Sequence, residues 1–303
     1  MQELYNSFHS FLKKKFKHDK IRKIPIDAGF SCPNKDGRIS SEGCIFCDEY
    51  GAGPIKSGHL GVQEQLELFI KKRRGEKFIA YFQANTNTAA KVDELRKEFE
   101  KVFLFEDIVA LFIGTRPDSI DEPVYGLLNE LNKRIYLSIE LGLQSIHEKS
   151  LKFLKRNHSY QQFLDTFFRL KELSLDVVVH LIIGIPGETE EDLMATIAEM
   201  NRLKPAGIKF HLLHLLKNTA LLKLYKKEPF KLLEKEEYVN LIVNMLERLD
   251  RDIVIHRLTG ERDAEIFYAP EWTLNRSGVL QAIRNRMIAL NTFQGRLCGE
   301  VLK

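Results

Sequence analysis

The sequence lacks the features of a membrane-spanning or secreted protein. None of its 303 residues belongs to a run of about 18 apolar residues, which a membrane-spanning helix needs. The amino-terminal segment MQELYNSFHSFLKKKFKHDK has no continuous apolar block of the kind that a secretion signal contains. There is no obvious linker, low-complexity tract or short-period repeat. We therefore expect a cytoplasmic protein with one substantial core, drawn from the 44% of residues that are hydrophobic.

Cysteine is scarce and unevenly placed. Four cysteines in so long a chain do not make a disulfide framework. Three of them, Cys32, Cys44 and Cys47, crowd the loop GFSCPNKDGRISSEGCIFC, which favours metal binding in a reducing compartment. Cys298 stands apart near the carboxyl terminus, and we interpret it as a small packed or partly exposed residue.

Three thiolates on one loop allow two kinds of metal site. They can bind three irons of an iron–sulfur cube and leave the fourth iron without a protein ligand. They can also bind zinc together with His59, and the chain would then be a non-catalytic RNA-binding module. Tight turns at Pro33, Gly37 and Gly43 allow the long gap between the first two cysteines to fold back on itself.

Short apolar runs alternate with segments of helical period along most of the chain. The runs that predict strands are 21–29, 77–83, 108–114, 134–142, 176–184 and 207–216, and the segments that predict helices are 61–74, 89–104, 120–131, 159–173, 189–203 and 234–249. Nearly continuous apolar strands between helices indicate parallel pairing with both sheet faces covered. Six such units fit an α/β fold, an incomplete (βα)6 TIM-like barrel, with an open doubly wound sheet as the competing architecture.

The ends of the chain differ from its middle. We predict a basic amino-terminal helix or arm at 1–20, the partial barrel at 21–249 and a small carboxyl-terminal extension at 250–303. The extension contains the strand-like DIVIHRLTG, the only tryptophan, Trp272, and a basic helix near 275–292.

The cysteine loop and four later motifs resemble one known family. The loop follows the first predicted strand, and Cys44 and Cys47 are separated by two residues, the second of which is Phe46. The later motifs, each at the end of a predicted strand, are QANTNT (83–88), GTRPD (114–118), IELGLQS (139–145) with LKRNHS (154–159), and HLIIGIPGET (180–189). Over roughly residues 20–220 the chain resembles the radical S-adenosylmethionine superfamily, particularly the branch of the Elongator catalytic subunit and coproporphyrinogen dehydrogenase. The usual short gap after the first cysteine is widened here to eleven residues.

The resemblance implies a 4Fe-4S cluster and S-adenosylmethionine as cofactors. In the family an electron from the reduced cluster enters the sulfonium, a carbon–sulfur bond breaks, and a 5′-deoxyadenosyl radical abstracts a hydrogen atom from the substrate. The cofactor carries this step, so the protein has to supply orientation and exclude water. A reductant such as flavodoxin or ferredoxin is the implied electron donor.

The resemblance also implies functional positions. The metal ligands would be Cys32, Cys44 and Cys47, and the cofactor-binding residues would be Phe46, Gln83, Asn85, Thr86, Gln144, Arg156, His180 and Gly184. Gln83 and Ala84 stand where relatives have two glycines, and His180 stands where relatives often have an acidic residue.

Several of these residues also have a purely structural interpretation. QANTNT can be a strand-to-helix turn in which Thr88 caps the following helix, and Thr189 with Asp192 three residues later predicts another helix start. Arg156 can be a solvated arginine, and His180 can be a core histidine bonded to backbone.

We assign no catalytic acid–base residue, because Glu140 and Glu188 do not form a convincing pair. His211 and His214 are three positions apart on a predicted strand and would face opposite sides, which makes a joint metal site poor.

Basic residues at both ends are consistent with phosphate contacts on an RNA substrate. The weak candidates for these contacts are Lys13, Lys14, Lys15, Lys17, Arg284 and Arg286. The resemblance points to carbon 5 of the wobble uridine of tRNA, where Elongator-like members act. The chain offers no room for the acetyltransferase domain of Elongator, so remodelling of an existing side chain is preferred, for example carboxymethylaminomethyl to aminomethyl. A small-molecule or peptide substrate is the alternative, with the basic residues as a solvated surface.

Overall fold

The computed structural model describes residues 3–48, 51, 60–73, 75–260 and 262–299. Its strands are β1 (Ile21–Ile26), β2 (Lys77–Phe82), β3 (Ile108–Thr115), β4 (Tyr136–Gln144), β5 (Asp176–Ile183), β6 (Gly207–Leu212), β7 (Leu215–Leu216), β8 (Val254–Arg257) and β9 (Phe267–Ala269). Seven of them form one sheet in the order β1-β2-β3-β4-β5-β6-β8. This order follows the chain without the reversal that defines a doubly wound sheet, so it supports the barrel-type topology.

Helices connect most of the strands. They are α1 (Phe8–Phe16), α2 (Val62–Ile70), α3 (Val92–Phe99), α4 (Glu122–Asn132), α5 (Glu148–Phe153), α6 (Tyr160–Glu172), α7 (Glu190–Leu203), α8 (Ala220–Lys227), α9 (Lys235–Arg248) and α10 (Arg276–Ala289). Short 3-10 helices cover Glu100–Leu104 and Glu271–Leu274. None of the helices in the described ranges has the length and apolar content that crossing a bilayer would require.

The chain divides into two compact units. The first unit comprises Leu12–Leu143 and Lys155–Val178, and the second comprises Met1–Phe11, Gln144–Leu154 and Val179–Lys303. The predicted boundaries at residues 20 and 249 stay a prediction.

Parallel strands form the centre of the first unit. Ala80 on β2 pairs with Ile24 on β1 and with Leu111 on β3, and Leu111 pairs in turn with Leu137 on β4. These four residues are at most 1% exposed. Both faces of the strands are covered, which is why their sequences read as nearly unbroken apolar runs.

In the second unit, β6 and β8 pair in parallel, and the short β7 and β9 pair antiparallel. Tyr238, Ile242 and Leu246 on α9 recur at four-residue spacing and are fully buried, so one stripe of this helix belongs to the core.

The predicted strands and helices are found with small changes at their ends. The predicted strand 207–216 divides into β6 and β7, and the predicted helix 89–104 is α3 followed by a 3-10 helix. The prediction that Thr88 caps a helix is wrong. Lys91 is the residue before α3, and the Thr88 hydroxyl instead lies 2.5 Å from both Thr115 Oγ1 and the Ser119 carbonyl oxygen. A local sequence pattern could not anticipate these partners on the neighbouring strand end.

The predicted start of α7 gives a stability test. Asp192 N donates to Thr189 Oγ1 at 3.2 Å, and Thr189 N donates to the Asp192 carboxylate at 3.0 Å. We expect Thr189→Ala to lower the free energy of unfolding by about 1 kcal/mol, measured by urea denaturation. Thr189→Ser keeps the acceptor and should stay within a few tenths of a kcal/mol of the unsubstituted chain. An alanine variant as stable as the serine variant would contradict this role.

Candidate metal and cofactor site

The cysteine loop follows β1 in the first unit and is folded by tight turns. The amide of Lys35 donates to the Cys32 carbonyl at 2.8 Å, and the amide of Cys47 donates to the Cys44 carbonyl at 3.0 Å. Gly37 and Gly43 have φ of 92° and 74°, values that favour glycine. Each of the four cysteines lies in the described part of the chain and is a thiol.

Cys44 is the buried member of the loop, with 7% of its surface exposed. Its Sγ accepts hydrogen bonds from Arg156 Nη1 and Asn34 Nδ2, both at 3.3 Å, and Arg116 Nη1 lies 4.0 Å away. Burial by itself raises the pKa of this thiol, but the charges of Arg156 and Arg116 and the hydrogen bonds from Arg156 and Asn34 outweigh burial and hold the pKa below its usual value. The pocket therefore favours a thiolate.

Arg116 follows β3 directly and is held from two sides. Its Nη2 and Nε donate to the Asp118 carboxylate at 2.6 and 2.9 Å, a bidentate pair in which both side chains are nearly buried. Nη2 also donates to the Arg156 carbonyl at 2.7 Å. Bidentate pairing fixes the plane of a guanidinium group, so Asp118 orients the charge that faces Cys44.

Arg156 is presented by an unusual backbone. Its neighbours Lys155 and Asn157 have φ of 50° and 54°, in the left-handed region that costs energy for residues other than glycine. Arg156 Nη2 donates to the Gly142 carbonyl at 2.6 Å, and Nε donates to His158 Nε2 at 3.2 Å. The turn places a buried guanidinium with all three nitrogens engaged.

Asn34 and Asn157 tie this turn to the cysteine loop. Asn157 Nδ2 donates to Asn34 Oδ1 at 2.7 Å, and Asn34 Nδ2 donates to the Lys155 carbonyl at 2.9 Å. Asn34 is completely buried. It therefore uses both ends of its amide to hold the loop and still contacts Cys44.

His158 is the neutral member of the cluster. Burial and the charge of Arg156 lower its pKa to about 3. Since arginine can only donate, Nε2 accepts from Arg156, and the proton sits on Nδ1, which lies 3.2 Å from the Ser159 carbonyl oxygen. This neutral imidazole positions Arg156 without adding a further positive charge.

The turn after β2 contains the residues predicted to contact the cofactor. Ala84 and Asn85 have φ of 74° and 50°, so the backbone is left-handed at Ala84, one of the two positions where relatives were expected to have glycine. Thr86 is fully buried, its amide donates to the Ser31 carbonyl at 3.3 Å, and its Oγ1 has no hydrogen-bond partner within the described residues. A buried hydroxyl left without a partner is a candidate ligand contact. Gln83, half-buried, begins the turn.

The other predicted cofactor residues are placed as follows. Phe46 is half-buried on the cysteine loop, and Gln144, with φ of 79°, ends β4. His180 lies on β5, and Gly184 follows that strand with φ of 84°. Gln144, His180 and Gly184 belong to the second unit, and their roles stay predictions.

The described side chains do not form a site for a single metal ion. No group of three or more His, Cys, Asp or Glu side chains in the described ranges is arranged around a single ion. Each thiolate of an iron–sulfur cluster binds a different iron, so cluster ligands need not converge on one point. The three thiols lie on one folded loop, and one of them is buried beside cationic side chains. This set of ligands is chemically suited to an iron–sulfur cluster. His59, the fourth ligand of the zinc alternative, lies outside the described residues.

Sequence reasoning missed four members of this site, Asn34, Arg116, Asp118 and His158. Arg116 and Asp118 belong to the motif GTRPD and His158 to LKRNHS, but neither motif reveals which side chain points at a cysteine far away in the sequence. The sequence feature that could have pointed to Arg116 and Asp118 was an Arg and an Asp two positions apart after a buried strand.

Comparisons with known proteins identify the family. The Radical SAM superfamily matches residues 35–200, and the Radical_SAM C-terminal domain matches residues 205–289. The chain is 36% identical to YtqA of Bacillus subtilis over 302 residues, which cover 97% of this chain and 93% of YtqA. The chain therefore belongs to the radical SAM superfamily. The cofactors of this family, a 4Fe-4S cluster and S-adenosylmethionine, are those that the sequence predicted.

Two further similarities concern a tRNA-modifying protein and the structure of Elp3. A tRNA uridine(34) acetyltransferase of Methanocaldococcus jannaschii is 31% identical over 137 residues, which cover 44% of this chain and 25% of that protein. The structure of Elp3 from Methanocaldococcus infernus with an N-terminal deletion has a TM-score of 0.68 at 18% identity and covers 91% of this chain and 66% of that one. The second comparison confirms the predicted fold class, an incomplete barrel of the radical SAM type.

His158 gives a pH test of the cluster. Because its pKa is near 3 when folded, the unfolded chain takes up the proton first on acidification. The stability that comes from neutral His158 is complete above its ordinary pKa of about 6.5 and is lost as the pH falls from there towards the folded value. We expect His158→Gln to remove up to about 1.4 kcal/mol per pH unit from the pH dependence of the unfolding free energy between about pH 6 and 4. Equal slopes for variant and unsubstituted chain, measured by denaturation at several pH values, would show that His158 is not held neutral.

Proposed function

We propose that Cys32, Cys44 and Cys47 hold the 4Fe-4S cluster of this radical SAM enzyme, and that its substrate is the wobble uridine of a tRNA. The observation that carries the metal assignment is the contact of a buried Cys44 thiol with Arg156 and Asn34 at 3.3 Å. When bound, the cluster supplies the electron for reductive cleavage of S-adenosylmethionine, which leads to abstraction of a hydrogen atom from the substrate.

The side chains around Cys44 stabilise the negative charge of its thiolate. A thiolate buried from water is costly unless opposite charges and hydrogen bonds compensate it. Arg116 and Arg156 supply the charges, and Asn34 supplies a neutral donor. Because these partners are themselves fixed by Asp118, Gly142 and Lys155, the ligand stays in place when the cluster changes its charge.

The polar groups that could bind S-adenosylmethionine differ in whether their hydrogen bonds to the protein are already made. Thr86 Oγ1 is buried and without a partner in the described part of the chain, so it is the contact that we favour. All three guanidinium nitrogens of Arg156 already donate to protein atoms. A role for Arg156 in binding the methionyl carboxylate would require exchanging one of these bonds, so we assign it first to Cys44. Phe46, Gln83, Asn85, Gln144, His180 and Gly184 complete the proposed set.

The proposed substrate rests on similarity and on charge. The similarity to a tRNA uridine(34) acetyltransferase, and the fold shared with Elp3, support a wobble uridine. Lys14 and Lys17 are exposed and form no ion pair within the described residues, whereas Lys13 pairs with Asp19 at 2.7 Å and Lys15 lies over the ring of Tyr136. Exposed cations of this kind suit phosphate contacts. On α10, Arg284 and Arg286 are also exposed.

Within that substrate class we propose remodelling of a side chain already present on carbon 5, such as conversion of carboxymethylaminomethyl to aminomethyl. The CH2 group next to the carboxylate would lose a hydrogen atom and a further electron to give an imine, and water would release the two-carbon group as glyoxylate. S-adenosylmethionine, cleaved to methionine and 5′-deoxyadenosine, would be the two-electron oxidant. The electron donor would be a small reductant protein such as flavodoxin or ferredoxin. Four cysteines in the thiol form suit a reducing compartment, so we propose a cytoplasmic site of action.

The cluster assignment is tested by substituting Cys44. We expect anaerobically reconstituted Cys44→Ala to lose most of its iron and acid-labile sulfide, because one thiolate ligand is removed, while circular dichroism stays that of the unsubstituted protein. Cys298→Ala is the matched control, since Cys298 is exposed and lies outside the loop; it should retain full iron and sulfide. Full cluster content in the Cys44 variant would overturn the assignment.

The substrate is tested by nucleoside analysis. The reconstituted enzyme is incubated anaerobically with a reductant, S-adenosylmethionine and tRNA from a strain that lacks this protein. Mass spectrometry should find carboxymethylaminomethyluridine lost and aminomethyluridine gained in equal amounts, together with 5′-deoxyadenosine. The Cys44→Ala variant should leave all three unchanged. Cleavage of S-adenosylmethionine with unaltered uridines would contradict the tRNA assignment and favour a small molecule or peptide.

A further inference from the structure

A second group of basic side chains lies in the second unit. Its members come from three parallel strands and the segments that follow them, and they are His180, Lys209, His211, His214, Arg257 and Arg262. We refer to this group as the basic cluster. The basic cluster has no part in the proposed binding of iron by Cys32, Cys44 and Cys47.

Strand geometry brings the basic cluster together. Lys209 and His211 alternate along β6 and therefore point to the same face of the sheet. Arg257 on β8 pairs in register with Lys209. The ring of His180 on β5 lies 5.4 Å from that of His211, measured between ring centres. These residues therefore share one face of the sheet. They lie near the carboxyl ends of parallel strands, where barrels of this class bind their ligands.

His214 is fixed beside the strand ends by close packing. Its ring lies 5.1 Å from the ring of Phe267 in an edge contact. A side-chain carbon at Gly260 would come within 2.9 Å of the His214 ring, so only glycine leaves room for the imidazole there. This histidine is therefore held in one orientation rather than packed loosely.

Two imidazole nitrogens and two guanidinium groups in this cluster have no partner among the described residues. Nε2 of His211 and Nε2 of His214 are buried without a hydrogen bond in the described ranges. Arg257 and Arg262 are half-buried, and their guanidinium groups form no ion pair or hydrogen bond with a described residue. Buried polar groups are normally satisfied, and half-buried arginines normally find carboxylates. Four unsatisfied polar groups in one cluster point to a ligand.

The charges around the two histidines have one sign. His211 is influenced by Arg257, His180, Lys209 and Arg262, and His214 by Arg262 and Arg257. Burial first, and these positive neighbours second, lower the pKa of His214 to about 4 and that of His211 well below its ordinary value. Both rings are neutral near pH 7, and the two arginines, which form no ion pair with a described residue, supply a positive potential that attracts anions.

We propose that Arg257, Arg262, His211 and His214 bind an oxyanion of the substrate, either a carboxylate or a phosphate. Guanidinium groups hold such planar or multidentate oxygens with two parallel hydrogen bonds, and neutral imidazole adds a donor. The inference rests on the proposed function for the identity of the anion: the carboxymethylaminomethyl side chain ends in a carboxylate, and aminomethyl does not. The site would therefore hold the substrate and release the product.

The test measures anion binding without turnover. The full chain, labelled with ¹³C in its histidine rings, is titrated with the nucleosides carboxymethylaminomethyluridine and aminomethyluridine and, separately, with inorganic phosphate. Resonances of His211 and His214 are assigned from the His211→Gln and His214→Gln variants. We expect the carboxylate-bearing nucleoside to shift both resonances and the aminomethyl nucleoside to leave them unchanged. Shifts with phosphate alone would support the site and identify a tRNA phosphate as its ligand.

Matched double variants separate specific binding from overall charge. Arg257→Gln with Arg262→Gln should weaken anion binding at least tenfold, whereas Arg202→Gln with Arg251→Gln removes the same charge from exposed positions of this unit and should leave binding unchanged. Arg257→Lys with Arg262→Lys keeps the charge without the guanidinium fork, so this variant should retain part of the affinity and shows whether the glutamine variant is merely misfolded. Unchanged resonances with all three probes, or equal loss in both double variants, would overturn the proposal. Because no cofactor or tRNA is needed, the anion site can fail while the tRNA assay succeeds, and the reverse.

Discussion

The contact between a buried thiol and two arginines is the interaction on which the arrangement of the candidate site depends. Cys44 comes from the loop after β1, Arg116 from the end of β3, and Arg156 from the turn after α5. These segments meet because parallel strands end at the same edge of the sheet. Removing either arginine would take away one of the influences that oppose burial, so the pKa of the thiol would rise and its charged form would be less favoured.

The same constraint explains features that are costly in isolation. The left-handed residues on both sides of Arg156, the buried Arg116–Asp118 pair and the completely buried Asn34 each carry an energetic penalty. These groups form hydrogen bonds with one another. The energetic penalties are therefore all spent on holding one arrangement of charges. Strain and buried polarity concentrated in one place are typical of functional sites. The capping boxes and the apolar strands elsewhere need no such explanation.

Elements with a strong local signal were predictable from the sequence. The apolar runs gave β1 to β6 with small changes at their ends, and Thr189 with Asp192 gave the start of α7. The pairing of Arg116 with Cys44, and of Thr88 with the end of β3, depends on which strands are neighbours. His211 and His214 illustrate the same limit: their spacing argued against a joint metal site, but the arginines that surround them come from β8 and the segment after it.

We propose that the three loop thiolates leave one vertex of a cluster open to S-adenosylmethionine. Mössbauer spectroscopy of the ⁵⁷Fe-reconstituted protein, recorded with and without S-adenosylmethionine, distinguishes that vertex from the other three. We expect four irons, of which one alone changes its parameters when S-adenosylmethionine is added. Four irons that respond alike, or iron that never enters a cluster, would rule out the open vertex.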